Sequence, residues 1–121
     1  MQDFRKLKVW EKAHAFVLEV YRASELFPTQ EKYGLTSQIR RAASSIPTNM
    51  AEGCGRNSNP DLARFLHIAM GSASEVEYLL ILARDLDILP VDHFSELEAE
   101  LFEIKRMLNS LIQKVQETNH Q

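Results

Sequence analysis

The 121-residue chain has little of what most small folds depend on. Cys54 is its one cysteine, so no disulfide can form within the chain, and a reducing compartment is the expected setting. Four glycines and four prolines leave too little material for the many tight turns of a β-sandwich or barrel. No stretch approaches the roughly 18–20 uninterrupted apolar residues of a membrane span. The first residues, MQDFRKLKVWEKAHAF, carry charge throughout and lack the apolar centre of a signal peptide, which predicts a cytoplasmic protein.

The residues present have an ordinary globular composition, 45% hydrophobic and 26% charged. A chain of this length can bury a core without metals or disulfides, so one domain over residues 1–121 is expected. The net charge of −3 is unevenly divided. Residues 1–56 hold nine Lys/Arg against six Asp/Glu, and residues 57–121 hold five against eleven. Two readings of that division stand open. The basic half could meet nucleic acid, or the halves could attract each other or a neighbouring subunit.

Periodicity predicts four helices, at about 7–26, 30–55, 60–87 and 92–116. In the first, Val9, Ala13, Phe16, Val20 and Ala23 recur at spacings of four and three, and Trp10, Val17 and Tyr21 widen that face. Phe27-Pro28 ends it, and Thr29 suits the next N-cap. The second carries Leu35, Ile39, Ala42, Ile46, Met50 and Gly53, small enough in places for a neighbouring helix to come close. Pro47 inside it removes a backbone donor and predicts a kink. Ser44 and Ser45 stand near the carbonyl so freed, and Gly53 and Gly55 supply a stop.

Asn59, Pro60 and Asp61 form a start signal, with Asn59 as N-cap and Pro60 as the first helical residue. The third helix has the stripe Leu62, Phe65, Leu66, Ala69, Ala73, Val76, Leu80 and Ala83. Ile68, Leu79, Leu82 and Leu86 widen it beyond the ~100° that one core face requires. Asp92 is expected to cap the fourth helix. Its stripe, Phe94, Leu97, Leu101, Ile104, Leu108, Leu111 and Val115, alternates strictly by three and four. Short links between four helices predict an all-α fold, an antiparallel up-down-up-down four-helix bundle.

Candidate chemistry is sparse. Two-metal bundles use paired Glu-x-x-His motifs. Glu11-x-x-His14 is one such pair, and the other, Glu117-x-x-His120, lies in the tail; no metal and no cofactor is expected. Gly53-x-Gly55-Arg56 precedes a helix, as a phosphate loop would, but it follows a helix and lacks Gly-Lys-Ser/Thr. It reads as a helix stop, with weak anion binding at Arg56 left open. Cys54 reads as a packing residue, and no catalytic residues are expected.

More distinctive is the polar shoulder of the second helix, where Gln38, Ser45, Asn49 and Arg56 share one side, with Arg41 and Glu52 slightly further out. Glu75 lies on the wide apolar face of the third helix, level with Arg40 and Arg41. A lone buried carboxylate is costly, which predicts pairing of Glu75 with Arg40 or Arg41, within the chain or across a subunit interface. Asn49, Glu52 and Arg56 would continue that network.

At these residues, QIRRAASSIPTNMAEGCGR followed by FLHIAMGSASEVEYLL, and in LKVWEKAHAFVLEVYRASELFPTQEKYGL upstream, the chain resembles the bacterial four-helix-bundle proteins called 23S rRNA intervening-sequence proteins. The likeness runs from Phe4 to about Leu89, and the last helix matches in pattern only. Some genes of that family lie within intervening segments of ribosomal RNA genes. Related accessory proteins of diversity-generating retroelements form pentameric barrels and interact with nucleic acid and a reverse transcriptase. No enzymatic activity is established for the family. Carried over by position, Arg40, Arg41, Asn49, Glu52, Arg56 and Glu75 occupy the motif.

The resulting expectation is a non-enzymatic homo-oligomer, with a pentameric ring implied by the resemblance, acting as an RNA- or protein-binding accessory factor. The over-wide faces of the first and third helices support assembly. Nucleic-acid contact would fall to Arg40, Arg41, Arg56 and a basic arm of Arg5, Lys6, Lys8 and Lys12. A protein-interaction or scaffold module without a nucleic-acid role is the alternative.

Overall fold

A computed structural model describes residues 3–119 of the chain. A 3-10 turn at Phe4–Lys6, capped by the Asp3 carboxylate, leads into α1 (Lys8–Ser24). The other helices are α2 (Leu35–Cys54), α3 (Asn59–Asp85) and α4 (Val91–Asn119). They form the antiparallel up-down-up-down bundle that the periodicity predicts. Each helix packs on its two neighbours, α1 on α2 and α4, and α3 on α2 and α4.

The helix starts differ from expectation for local reasons. Thr29–Glu31 forms a separate 3-10 turn, so α2 begins at Leu35 and not near residue 30. Gly34 departs from helical angles between the two, and the Glu31 carboxylate accepts from the Leu35 N–H at 3.2 Å. Ser58, not Asn59, caps α3, its hydroxyl accepting from the Asp61 N–H at 3.2 Å. Asn59 and Pro60 then take the first two helical positions, where a missing N–H costs nothing. In α4 the Pro90 carbonyl accepts from the Phe94 N–H at 2.9 Å, which makes Asp92 a first-turn residue and not the cap. Its charge still complements the helix dipole there. Before α4, Asp87 turns the chain with φ of 58°, a left-handed conformation that aspartate tolerates better than most.

The core follows the predicted stripes. Val9, Ala13, Phe16 and Val20 of α1 are buried, as are Ile39, Ile46 and Met50 of α2 and the whole predicted stripe of α3. The closest seam joins α2 to α3. A Cβ added at Gly53 would stand 2.9 Å from Phe65 Cβ and 3.0 Å from Leu62 Cδ1, so a side chain there would hold the helices apart. Pro47 lies buried within α2, which runs unbroken from Leu35 to Cys54. The Ser44 hydroxyl donates to the Arg41 carbonyl at 3.2 Å, not to the Ala43 carbonyl that Pro47 frees.

One register drifts. In α4, Ile112 is buried where the strict alternation predicted Leu111, which is half-buried. A straight helix turns about 20° per heptad away from a 3.5-residue repeat, and by the third heptad the next residue faces inward. By length and composition α3 could also cross a membrane, with a mean hydropathy of 1.3 over its most apolar window. Polar residues interrupt that window, and in the bundle its buried stripe is the wall facing the other helices. Ile68 at 41% and Leu86 at 54% exposure remain outside the core.

Candidate functional site

The polar shoulder of α2 assembles, but around serines and not around Glu75. The hydroxyls of Ser45 and Ser72 lie 2.8 Å apart and tie α2 to α3. Asn49 donates from Nδ2 to both the carbonyl and the hydroxyl of Ser45, at 2.8 Å each. Glu52 and Arg56 form an i,i+4 pair at 3.7 Å, with both side chains about half exposed. Arg56 also stands over the Phe65 ring, 4.7 Å from its centroid, and Arg64 over the same ring at 4.5 Å. Such contacts contribute roughly 0.5–1 kcal/mol each at exposed sites.

The predicted pairing of Glu75 with Arg40 or Arg41 does not form within the chain. Glu75 is exposed and makes no ion pair among the described residues. Arg40 points the other way, to the end of α1. Its Nε donates to Ser24 Oγ at 2.7 Å, a second guanidinium nitrogen donates to the Tyr21 carbonyl at 3.1 Å, and the group lies 4.6 Å from the Tyr21 ring centroid. Arg41 donates to Ser37 Oγ at 3.1 Å on the outer side of α2. The physical reason is angular. Arg40 follows the buried Ile39 by one residue, about 100° round the helix toward α1, while Glu75 lies on the far flank of α3.

The basic arm divides in two. Arg5 is held by Asp3 at 3.1 Å, and hydrogen bonds from Arg5 keep the Asp3 carboxyl below its usual range. Lys6 and Lys8 are exposed, whereas Lys12 sits in a recess beside Glu100 and Glu103. Next to the arm the rings form a ladder. Phe4 meets Trp10 edge-on at 4.9 Å, and Trp10 stacks on His14 at 5.3 Å with planes 7° apart. The Trp10 indole is fixed by donating from Nε1 to the Pro47 carbonyl at 3.1 Å. This ladder lines a groove of about 410 Å³ between α1 and α2.

In the folded chain charge is also unevenly divided along the bundle. Antiparallel packing brings the starts of α1 and α3 beside the ends of α2 and α4, as the Trp10–Pro47 and His67–Gln116 contacts show. Arg5, Lys6, Lys8, Arg56, Arg64 and Lys114 gather at that end with Asp3, Glu11, Glu52, Asp61 and Glu117. Asp3, Glu52 and Asp61 pair with Arg5, Arg56 and Arg64, which leaves Lys6 and Lys8 as the cations beside the ring ladder. Glu19, Glu25, Asp85, Asp87, Asp92 and Glu96 gather at the other. Between them Lys105 and Glu77 join α4 to α3 at 2.7 Å, with both side chains mostly covered.

Other sequence motifs take structural roles. His14 is occupied by its stack on Trp10, and the described residues contain no cluster of His, Cys, Asp and Glu able to hold a metal. His120 lies outside the described residues. The amides of Gly55 and Arg56 are spent on the end of α2, Gly55 donating to the Ala51 and Glu52 carbonyls and Arg56 to that of Gly53, as a helix stop requires. Burial pushes the Cys54 thiol up, as befits a packing residue. The contacts that sequence reading missed, Ser24 with Arg40 and Trp10 with Pro47, join residues 16 and 37 apart. The signal for Ser24 is a small polar residue in line with the α1 stripe, four after Val20.

A family model described as 23S rRNA-intervening sequence protein matches residues 5–110. Among solved structures, the chain is similar to a protein of unknown function from the S23 ribosomal protein family of Bacteroides thetaiotaomicron. The two are 25% identical with a TM-score of 0.81, over 87% of this chain and 95% of that one. No curated protein matches the chain.

Proposed function

The chain belongs to the 23S rRNA-intervening sequence protein family, and from that premise we propose that it is a non-enzymatic, self-assembling cytoplasmic bundle that serves as an accessory factor holding single-stranded RNA at its basic end. The observation that carries this reading is the Phe4–Trp10–His14 ladder beside Arg5, Lys6 and Lys8. Single-strand binders combine positive charge for the backbone with ring faces for the bases, and each stacked base contributes about 1–3 kcal/mol. The acidic end repels the same ligand, so binding is confined to one end. Assembly draws support from Ile68, Tyr78 and Leu86, large side chains left exposed on the outer side of α3. A ring of five is the stoichiometry that the resemblance implies.

The test is anisotropy of a labelled 20-nucleotide single-stranded RNA over a salt series. Contact with n phosphates gives a log–log slope near −0.7n, and K6E/K8E lowers affinity while H14A flattens the preference for stacked bases. No binding at low salt removes the nucleic-acid reading and leaves the scaffold module, which the same exposed face of α3 favours. Sedimentation at micromolar concentration tests assembly separately, and a strictly monomeric protein contradicts it.

A further inference from the structure

Of the four seams between adjacent helices, that between α1 and α4 is the least closely packed. Three recesses follow one another along it, of about 270, 350 and 390 Å³. The first two share Glu19 and Glu100, and the third opens one turn beyond Glu103 at Arg106 and Met107. Together they make one groove from the level of Leu26 to that of Leu7. Lys8 to Ala23 is 16 helical residues, whose 15 steps cover about 23 Å at 1.5 Å each.

The walls are two further stripes at helical spacing. α1 contributes Lys8, Lys12, Ala15, Glu19 and Ala23, and α4 contributes Glu96, Glu100, Glu103, Met107 and Lys114. Ala15 keeps the middle shallow, and Leu7, Met107 and Leu111 give an apolar floor at one end, with Leu26 and Leu97 at the other. Leu111 is the side chain that register drift turned from the core toward this seam. The charges are ordered. Glu19, Glu96 and Glu100 crowd the upper recess beside His93, with Arg22 already paired with Glu19 at 2.6 Å and Lys12 one recess further down. Lys8 and Lys114 rim the lower one together with Arg106, which is already paired with Glu103 at 2.6 Å.

We propose that this groove is a docking site for one amphipathic α-helix of a partner protein, about four turns long, basic in its first half and acidic in its second. Helices dock in apolar grooves through side chains spaced three and four apart, and here those would seat on the Leu7–Met107–Leu111 floor and the Leu26–Leu97 floor. Charge order sets direction. The positive N-terminal end of the partner lies against Glu19, Glu96 and Glu100, and its negative end against Lys8, Arg106 and Lys114, so side-chain charge and helix dipole act together. The partner runs parallel to α4. This groove shares Lys8 with the RNA reading, so A15W and H14A, which each lie in one site alone, distinguish the two.

The probe is a labelled synthetic 16-residue helical peptide with leucines at three–four spacing, lysines in its first two turns and glutamates in its last two. A control reverses the order of the charges. Titrated with the full chain, the first peptide should bind at least ten-fold more tightly than the control, and E19K/E100K should cut that ratio to one or invert it. Ala15 is exposed, so A15W fills the groove without entering the core and should abolish binding while leaving the circular dichroism melt unchanged. Equal binding of the two peptides, or binding indifferent to A15W, overturns the proposal. So does an A15W chain that sediments as a smaller species than the parent, because the groove would then hold a second copy.

Discussion

The indole of Trp10 donates to the carbonyl of Pro47 at 3.1 Å, joining two helices at the turn where α2 gives up a backbone donor. The bond is partly buried, sets the ring ladder at a fixed tilt and locks α1 in register with α2. W10F keeps a ring for packing and removes the donor. It should lower stability by about 0.5–1.5 kcal/mol, the usual net worth of such a bond, read as a reduced urea midpoint with unchanged slope. A midpoint equal to that of the parent would show that the bond does not hold the seam.

Two glycines should respond oppositely to the same change. Gly53 faces Phe65 Cβ and Leu62, backbone-near atoms that cannot swing away, so G53A should destabilise by about 1–3 kcal/mol. Gly71 is mid-helix with nothing within 4 Å of an added Cβ, so G71A should stabilise by about 0.5–1 kcal/mol. Thermal melts of the two variants side by side decide it, and the same sign for both would contradict the close approach of α2 to α3.

Arg40 and Arg41 are adjacent and should differ sharply. R40A removes the fork that holds Ser24 and the Tyr21 carbonyl, at a cost of about 1–3 kcal/mol. R40K retains the charge but not the fork and should recover little. R41A should stay within about 0.5 kcal/mol of the parent, as should E75Q in the folding of the single chain. If Glu75 pairs across copies, E75Q weakens sedimenting assemblies while leaving the melt of the dissociated chain unmoved.

Glu100 carries the one pH prediction. Desolvation against the α1–α4 seam, then repulsion from Glu19 and Glu96, raises its carboxyl above the ordinary value, with Lys12 opposing. A raised pKa means that the folded chain holds this proton more tightly than the unfolded one. The ionised group therefore costs stability above the raised folded value, and the cost fades as pH falls to the ordinary carboxylate range. E100Q should stabilise slightly at neutral pH, the effect being small because Glu100 is exposed and screened, and give no gain near the ordinary carboxylate range. A gain that grows on acidification would contradict the assignment.

What the sequence disclosed and what it hid separate along physical lines. Burial follows a period that any stretch of a dozen residues displays, so the stripes of Val9–Val20 and Leu62–Ala83 were legible. Caps turn on one residue's backbone angle, and Asn59 and Asp92, the expected caps, were displaced by Ser58 and Pro90 just before them. Leu111 failed because a heptad template was laid on a helix that does not supercoil enough to keep it. The pairing of Glu75 within the chain failed for a different reason. Level along two helices fixes height and not azimuth, and Arg40 is turned toward α1 by a single step from Ile39. The serines that do bridge α2 and α3 carry no charge, so nothing in the pattern marked Ser45 and Ser72 as partners.

Cys54 is 1% exposed and is the single thiol in the chain. Its raised pKa keeps it in the unreactive thiol form at neutral pH. A disulfide reagent can therefore reach it only when the packing around the last turn of α2 opens, and each molecule reports that event once. The labelling rate set against that of an unfolded chain gives the free energy of opening directly, without denaturant. The protein thus carries an internal clock for the opening of its core at the end of α2.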